Sequence, residues 1–129
     1  MRRSLAALVL MAALSGCATV GDQEDAAAGV ATRLLSAVEA GEGDAACATL
    51  APETAKTVAE DEPCPDAILD KSLPRPGTVV GTSVYGQWAQ VKFTDDTVFL
   101  AAFPEGWRVV AAGCTPQASR PYDCTVEGG

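Results

Sequence analysis

The chain has 129 residues, and its 17 acidic against 9 basic residues give a formal net charge of −8 at pH 7. Such an acidic surface repels the phosphates of nucleic acids and of anionic lipid headgroups, so no nucleic acid is expected as a partner. The chain contains no histidine, which excludes Ser-His-Asp and Cys-His catalysis and most catalytic zinc sites.

The first predicted element is a secretory signal. Arg2 and Arg3 precede an apolar run from Leu5 to Leu14, which is the layout of an export signal. A helix of this length rises only about 15 Å, roughly half of the hydrocarbon core of a bilayer, so it is too short to be a permanent span. We therefore expect residues 1–16 to be a signal peptide that is removed.

Cys17 is the predicted lipid attachment point. Small residues, Ser15 and Gly16, precede it, as in the bacterial lipobox, whereas the alternative of an ordinary thiol leaves one odd cysteine unexplained. Two acyl chains such as palmitate anchor a protein stably, at about 0.8 kcal/mol per buried methylene. We expect an extracytoplasmic protein held at the cell membrane through Cys17, or at an outer membrane if the host has one, because Ala18 replaces the aspartate associated with inner-membrane retention.

The mature chain is the size of one domain. Its formal charge changes from −8 to −10, because two arginines leave with the signal. The small and polar residues that follow Cys17 predict a flexible tether over residues 17–25. Residues 26–129 are then expected to form a single α+β domain.

Four further cysteines, Cys47, Cys64, Cys114 and Cys124, remain after export. An even number in an exported chain favours disulfides, and three pairings are possible. We favour Cys47 with Cys64 and Cys114 with Cys124, because each pair is close in sequence and is flanked by turns rich in proline or glycine. No metal site is expected, because the close Cys-x-x-Cys pairs and the histidines of zinc sites are missing.

The first half of the domain is predicted to be helical. Apolar residues spaced by three and four indicate a helix over Ala26–Glu39, which Gly41 and Gly43 end. Asp44 is expected to cap the next helix. The three short helical pieces predicted after it are Ala45–Leu50, Pro52–Val58 and a piece that starts at Cys64.

The second half is predicted to be a sheet, because β-branched and aromatic residues dominate from Thr78 onward. Connections this short can join only antiparallel neighbours, so the strands form a meander. The four predicted strands are Thr78–Tyr85, Gln87–Thr94, Thr97–Phe103 and Trp107–Ala112. The third is apolar on both faces and is expected to be central, and residues 113–129 are expected to be a loop-rich tail stapled by a disulfide.

Helices followed by an antiparallel sheet predict an α+β fold, with N-terminal helices packed on a four-stranded meander as a cone-like roll with two disulfides. This order of elements, with the stretch Gly106–Val110 closing the sheet, resembles the NTF2-like (SnoaL-like) superfamily and small exported actinobacterial lipoproteins of that kind. The likeness covers roughly Ala26 to Cys114. It implies enzymes that commonly rely on a histidine or carboxylate inside the cone, and binding or scaffold modules where those groups are missing.

No residue pattern points to catalysis. Asp95 and Asp96 are adjacent in a predicted turn, where they are expected to be ordinary turn residues without a catalytic role. The acidic run Glu60–Glu62 lacks the spaced ligands and the glycine of a calcium loop, so it is not expected to bind calcium. No cofactor, metal or catalytic residue is expected. The favoured function is a non-catalytic module that binds a small apolar ligand or an envelope protein. The alternative is an enzyme using carboxylates or a tyrosine within an NTF2-like pocket, and a third possibility is a structural envelope component with no ligand.

Six aromatic residues fall in the sheet segment, where they could line a concave pocket or fill the core; the core is favoured, because aromatic residues are common in strands. They are Tyr85, Trp88, Phe93, Phe99, Phe103 and Trp107. Trp88 is the exception, because it shares strand parity with Gln90 and Lys92 and should be exposed. Tyr85 and Trp88 are therefore the predicted binding surface.

Overall fold

Four helices precede a five-stranded sheet in the computed structural model, which describes residues 19–128. The helices are α1 Val20–Glu39, α2 Gly43–Cys47, α3 Pro52–Val58 and α4 Cys64–Leu69. The strands are β1 Val79–Tyr85, β2 Trp88–Phe93, β3 Thr97–Phe103, β4 Gly106–Gln117 and β5 Arg120–Glu127. The predicted α+β class is confirmed, while the predicted signal peptide and Cys17 lie outside the described residues.

Helix α1 begins earlier than predicted, at Val20. The Thr19 hydroxyl accepts a hydrogen bond from the backbone N–H of Asp22 at 3.2 Å, and the Asp22 carboxylate accepts one from the backbone N–H of Thr19 at 3.3 Å. This reciprocal cap satisfies two backbone donors at the helix start. The predicted tether is therefore wrong for residues 20–25, because the cap lets the helix extend over a polar first turn.

The end of α1 at Glu39 matches the prediction. Gly41 has a left-handed backbone with φ of 71°. Its N–H donates to the carbonyl of Val38, and the N–H of Glu42 donates to the carbonyl of Ala37. These two bonds form a Schellman motif, which satisfies carbonyl groups left free at the helix end.

Helix α2 packs tightly against α4. It begins at Gly43, where a Cβ atom would collide with the backbone carbonyl of Pro65. A disulfide joins Cys47 of α2 to Cys64 of α4, with a Cα–Cα distance of 6.2 Å. The predicted N-cap at Asp44 is wrong, because α2 already includes this residue and no side chain caps its start.

The sheet is antiparallel throughout and has the strand order β1-β2-β3-β4-β5. The meander and the central position of β3 are confirmed, but the number of strands was predicted as four and is five. Strand β4 continues to Gln117 and pairs with β5, in the segment predicted as a loop-rich tail. Cys114 lies directly opposite Cys124 in this pair, and a disulfide joins them.

Helix α1 covers one face of the sheet and forms the core with it. Ala27, Ala31, Leu34 and Leu35 are fully buried on the sheet side of α1. The strand residues in the same cluster are Ala89, Val91, Phe93, Val98, Leu100, Trp107, Val109, Ala112 and Val126. The predicted alternation of buried and solvent-facing residues in β2 is confirmed, since successive side chains of a strand point to opposite faces.

Two segments share the outer edge of β4. Strand β5 pairs with β4 from Ala111 onward, and residues 49–51 occupy the place beside Val109. The N–H of Val109 donates to the carbonyl of Thr49, and the N–H of Ala51 donates to the carbonyl of Val109, each at 2.8 Å. The register of β3 with β4 shifts between Phe99 and its neighbour Leu100, which inserts a β-bulge in β4 and bends it.

Candidate functional site

The two residues of the predicted binding surface lie opposite each other at the end of the β1–β2 hairpin. Residues that pair directly across an antiparallel ladder place their side chains on the same face. Tyr85 is 54% exposed and Trp88 is 52% exposed, as the parity of Trp88 predicts. Trp88 pairs in turn with Ala101 of β3, so both rings lie on the outer face of the sheet, away from α1.

A cavity of about 760 Å³ opens on this outer face. The residues that line it on β2, β3 and β4 are apolar or aromatic: Trp88, Phe99, Ala101, Phe103, Val110 and Ala111. The remaining lining residues belong to the start of α3 and the end of β5: Ala51, Pro52, Glu53, Thr54, Glu127 and Gly128. The volume lies within the range of roughly 300–1,000 Å³ that is typical of small-molecule sites.

The bulge of β4 holds the wall of this cavity in place. The carbonyl of Val110 accepts hydrogen bonds from the Thr54 hydroxyl at 3.1 Å and from the Gly128 N–H at 2.9 Å. Thr54 belongs to α3 and Gly128 follows β5, so one carbonyl ties two segments to the sheet. Thr54 is buried, and no local pattern reveals its role, because its partner is 56 residues away.

Tyr122 of β5 lies over the outer face of the sheet. Its ring meets Phe99 edge-on, with the two ring centroids 5.0 Å apart. Its hydroxyl accepts a hydrogen bond from the side-chain amide of Gln90 at 3.1 Å. Edge-to-face pairs contribute about 0.5–1.5 kcal/mol beyond the burial of their area. The sequence pattern does not reveal this residue, because it lies in the segment predicted as a loop-rich tail.

Both charged residues that line the cavity are acidic. The Glu53 carboxylate lies 2.9 Å from the ammonium of Lys56, and both side chains are largely exposed. The hydrogen bond and the charge of Glu53 raise the pKa of Lys56. Exposed pairs of this kind contribute little to stability. Glu127 is the second acidic residue and is also exposed.

Asp96 is a buried structural carboxylate, so the expectation that it is an ordinary turn residue is wrong. It is 7% exposed and accepts hydrogen bonds from the backbone N–H groups of Thr97 at 2.8 Å, Cys114 at 3.0 Å and Gly113 at 3.3 Å. Burial raises the pKa of Asp96, while the three backbone donors act in the opposite direction. The carboxylate fastens the β2–β3 turn to β4 beside the second disulfide, because charged acceptors form strong hydrogen bonds.

Acidic side chains before, within and just after α4 lie close to one another. A hydrogen bond from a protonated Glu62 to Asp70, together with the charges of Asp70, Asp66 and Asp61, raises the pKa of the Glu62 carboxyl, which is fully exposed. Within residues 19–128, no group of three or more cysteine or acidic side chains is arranged to hold a metal ion.

The six aromatic residues divide between core, cavity and surface. The Nε1–H of Trp107 donates to the Oε1 of Gln23 on α1 at 3.0 Å, and the ring is buried in the core with Phe93. Phe99 and Phe103 are half-buried and line the cavity. The expectation of a core position is therefore right for Trp107 and Phe93 and wrong for Phe99 and Phe103, because the sheet has an apolar outer face as well.

The amino terminus of the chain matches a known family model. Residues 1–18 match the model of a prokaryotic membrane lipoprotein lipid attachment site, and this stretch includes Cys17, the predicted attachment point. No curated protein and no solved structure matches the chain. Within residues 19–128, no helix combines the length with the hydropathy that a membrane span requires. The attachment signal supports a membrane-anchored lipoprotein that lies outside the cytoplasm.

Proposed function

We propose that the protein is a non-catalytic binding module, anchored through Cys17, that takes a small apolar ligand in the cavity of the outer sheet face. The cavity itself, with a volume of about 760 Å³, is the observation that supports this proposal. The face of an antiparallel sheet that is turned away from the core is normally polar, whereas Phe99, Ala101 and Phe103 line this one. An apolar ligand binds favourably there because binding removes apolar surface from water.

The placement of the acids supports a non-catalytic role. A general acid or base needs a titratable group within reach of the substrate and an environment that tunes its pKa. The buried Asp96 is not among the residues that line the cavity, and its oxygens already accept three backbone hydrogen bonds. Glu53 is paired with Lys56 at an exposed rim. An enzyme using Glu127 or the Tyr122 hydroxyl is the alternative.

We also propose that the fold is NTF2-like, and the order of helices followed by an antiparallel sheet supports this. One feature departs from a cone that opens between helices and sheet: the face under α1 is filled by Leu34, Leu35 and Leu100, and the cavity lies on the other face. An actinobacterial origin stays a prediction from the sequence, as does the kind of membrane, cell membrane or outer membrane, to which the lipid attaches.

The ligand proposal is tested by filling the cavity. Ala101 lines the cavity and is buried, whereas Ala102, the next residue in β3, is exposed and is not among the lining residues. Ala101→Leu therefore removes volume from the cavity, and Ala102→Leu is the matched control. The probe is trifluorotoluene, followed by fluorine NMR with the mature lipidated protein in phosphatidylcholine nanodiscs and with empty nanodiscs as the blank.

We expect the wild type and Ala102→Leu to broaden and shift the probe resonance beyond the effect of empty nanodiscs, and Ala101→Leu to lose this effect. Equal signals for Ala101→Leu and the wild type, or no signal above the blank, would overturn the proposal of a small apolar ligand. In the second case an envelope protein becomes the favoured partner, and hydrolysis or turnover of added substrates that depends on Glu127 would favour the enzyme.

A further inference from the structure

Two contacts show where the ends of α1 lie relative to the sheet. Near its start, Gln23 accepts the hydrogen bond from Trp107, which lies just after the β3–β4 turn. At its last residue, the Glu39 carboxylate lies 3.5 Å from the Nε of Arg75, which precedes β1. Helix α1 therefore runs along the sheet from the end that carries the β1–β2 and β3–β4 turns to the opposite end.

The lipid attachment point lies close to the first of these ends. Only Ala18 and Thr19 separate Cys17 from the first residue of α1. A fully extended chain covers at most about 3.6 Å per residue, so the start of α1 lies within roughly 11 Å of the lipidated cysteine. The end of the sheet beside that start is therefore the part of the domain that the chain keeps nearest to the bilayer.

Exposed apolar and aromatic side chains gather at this same end. Val20 at the start of α1 is 64% exposed. Tyr85 and Trp88, each more than half exposed, flank the β1–β2 turn. The half-buried Phe103 lies just before the β3–β4 turn, and the hydrogen bond from the N–H of Ala102 to the carbonyl of Gln87 places the two turns side by side. Tyrosine and tryptophan are the residues enriched where a protein meets the membrane–water interface, because their rings are apolar and their tips are polar.

We propose that this end of the domain, defined by Val20, Tyr85 and Trp88, rests in the headgroup region of the bilayer to which the lipid attaches. The surface is suited to electrically neutral headgroups, since Asp22, Glu24, Asp25 and Glu105 outnumber the neighbouring Arg108 at this end of the sheet and repel anionic lipids. The membrane contact thus orients the domain in addition to the lipid that tethers it.

The test places a tryptophan at either end of the sheet. The protein has two tryptophans, and Trp88→Phe leaves the buried Trp107 as the background signal. Val80 is 62% exposed near the start of β1, at the opposite end of the strand from Tyr85, so Trp88→Phe combined with Val80→Trp moves the exposed indole away from the turns. The mature lipidated proteins are reconstituted in phosphatidylcholine vesicles that contain phosphatidylcholine spin-labelled near the headgroup, and tryptophan fluorescence is recorded.

We expect the spin label to remove most of the emission that Trp88 adds above the background, and to leave the emission of a tryptophan at position 80 unquenched. Replacing part of the phosphatidylcholine by phosphatidylglycerol should weaken the quenching of Trp88. Equal quenching at positions 80 and 88 would overturn the proposal, as would no quenching at either. Ala101→Leu must retain the quenching, because its loss would mean that lipid enters the cavity instead of supporting the end of the sheet.

Discussion

Removal of the Asp96 carboxylate is the sharpest test of how the sheet is held together. In Asp96→Ala, the backbone donors of Thr97, Gly113 and Cys114 lose their acceptor. A net hydrogen bond to a charged group contributes about 1.5–3 kcal/mol, and a buried donor without a partner costs about 1–3 kcal/mol. The relief of burying a charge offsets part of that sum, so we expect a loss of about 3 kcal/mol in the free energy of unfolding.

This loss should be large in a thermal melt. Unfolding entropy of about 2.1 cal/mol/K per residue, over the 110 residues from Thr19 to Gly128, converts about 3 kcal/mol into a fall in Tm of roughly 13 °C. Differential scanning calorimetry of the oxidised protein measures it. Asp95→Ala is the matched control, because Asp95 is the exposed neighbour in the same turn, and it should change Tm by no more than a surface substitution does.

Asp96→Asn separates shape from hydrogen bonding. The Oδ1 atom accepts from Thr97 and Cys114, and Oδ2 accepts from Gly113. An asparagine keeps the first acceptor but presents an amide donor to the N–H of Gly113, so its loss should be smaller, about 1–2 kcal/mol. If Asp96→Ala were no less stable than Asp95→Ala, the carboxylate would not be fastening the turn to β4 and the reasoning would be wrong.

Two further predictions concern pH and backbone packing. Burial raises the pKa of Asp96 above its ordinary value. This group therefore stabilises the folded state most at a pH below its unfolded pKa, and the contribution is lost as the pH rises through its folded pKa. The free energy of unfolding of the wild type minus that of Asp96→Asn, measured by urea unfolding, should be larger near pH 4 than at pH 7, and a difference that does not change with pH would contradict this direction. Gly43→Ala places a Cβ atom against the backbone of Pro65 and should lower the free energy of unfolding by about 1–3 kcal/mol. Gly29→Ala, in open space on α1, should raise it by about 0.5–1 kcal/mol. Urea unfolding measures both variants, and equal effects would refute the close approach of α2 to α4.

Elements with a strong local pattern are predictable from the sequence. The helix over Ala26–Glu39 shows its apolar stripe, and β2 shows its alternation, because each burial pattern repeats with the period of the backbone. Short connections in the sheet segment leave only antiparallel pairing. The preferred pairing of Cys47 with Cys64 and of Cys114 with Cys124 is the one the structure contains, because both pairs close short loops.

Elements that depend on distant partners are not predictable in this way. Strand β5 has proline and glycine residues around it and becomes a strand only because β4 continues far enough to pair with it. The buried state of Asp96 depends on N–H groups at residues 113 and 114. The cap formed by Thr19 and Asp22, by contrast, is local, and its spacing of three residues is a sequence signature of a helix start.

The sequence by itself determined the export signal and the lipid attachment site, because those signals are read from an unfolded chain and need no tertiary partner. It also predicted the α+β class and favoured the short-range disulfide pairs that the structure contains. Only the tertiary structure decided that the cavity lies on the outer face of the sheet, since the Val110 carbonyl must meet Thr54 and Gly128 to form its wall. Contacts between segments so far apart leave no periodic trace in the sequence, because each partner is satisfied only once the chain has folded.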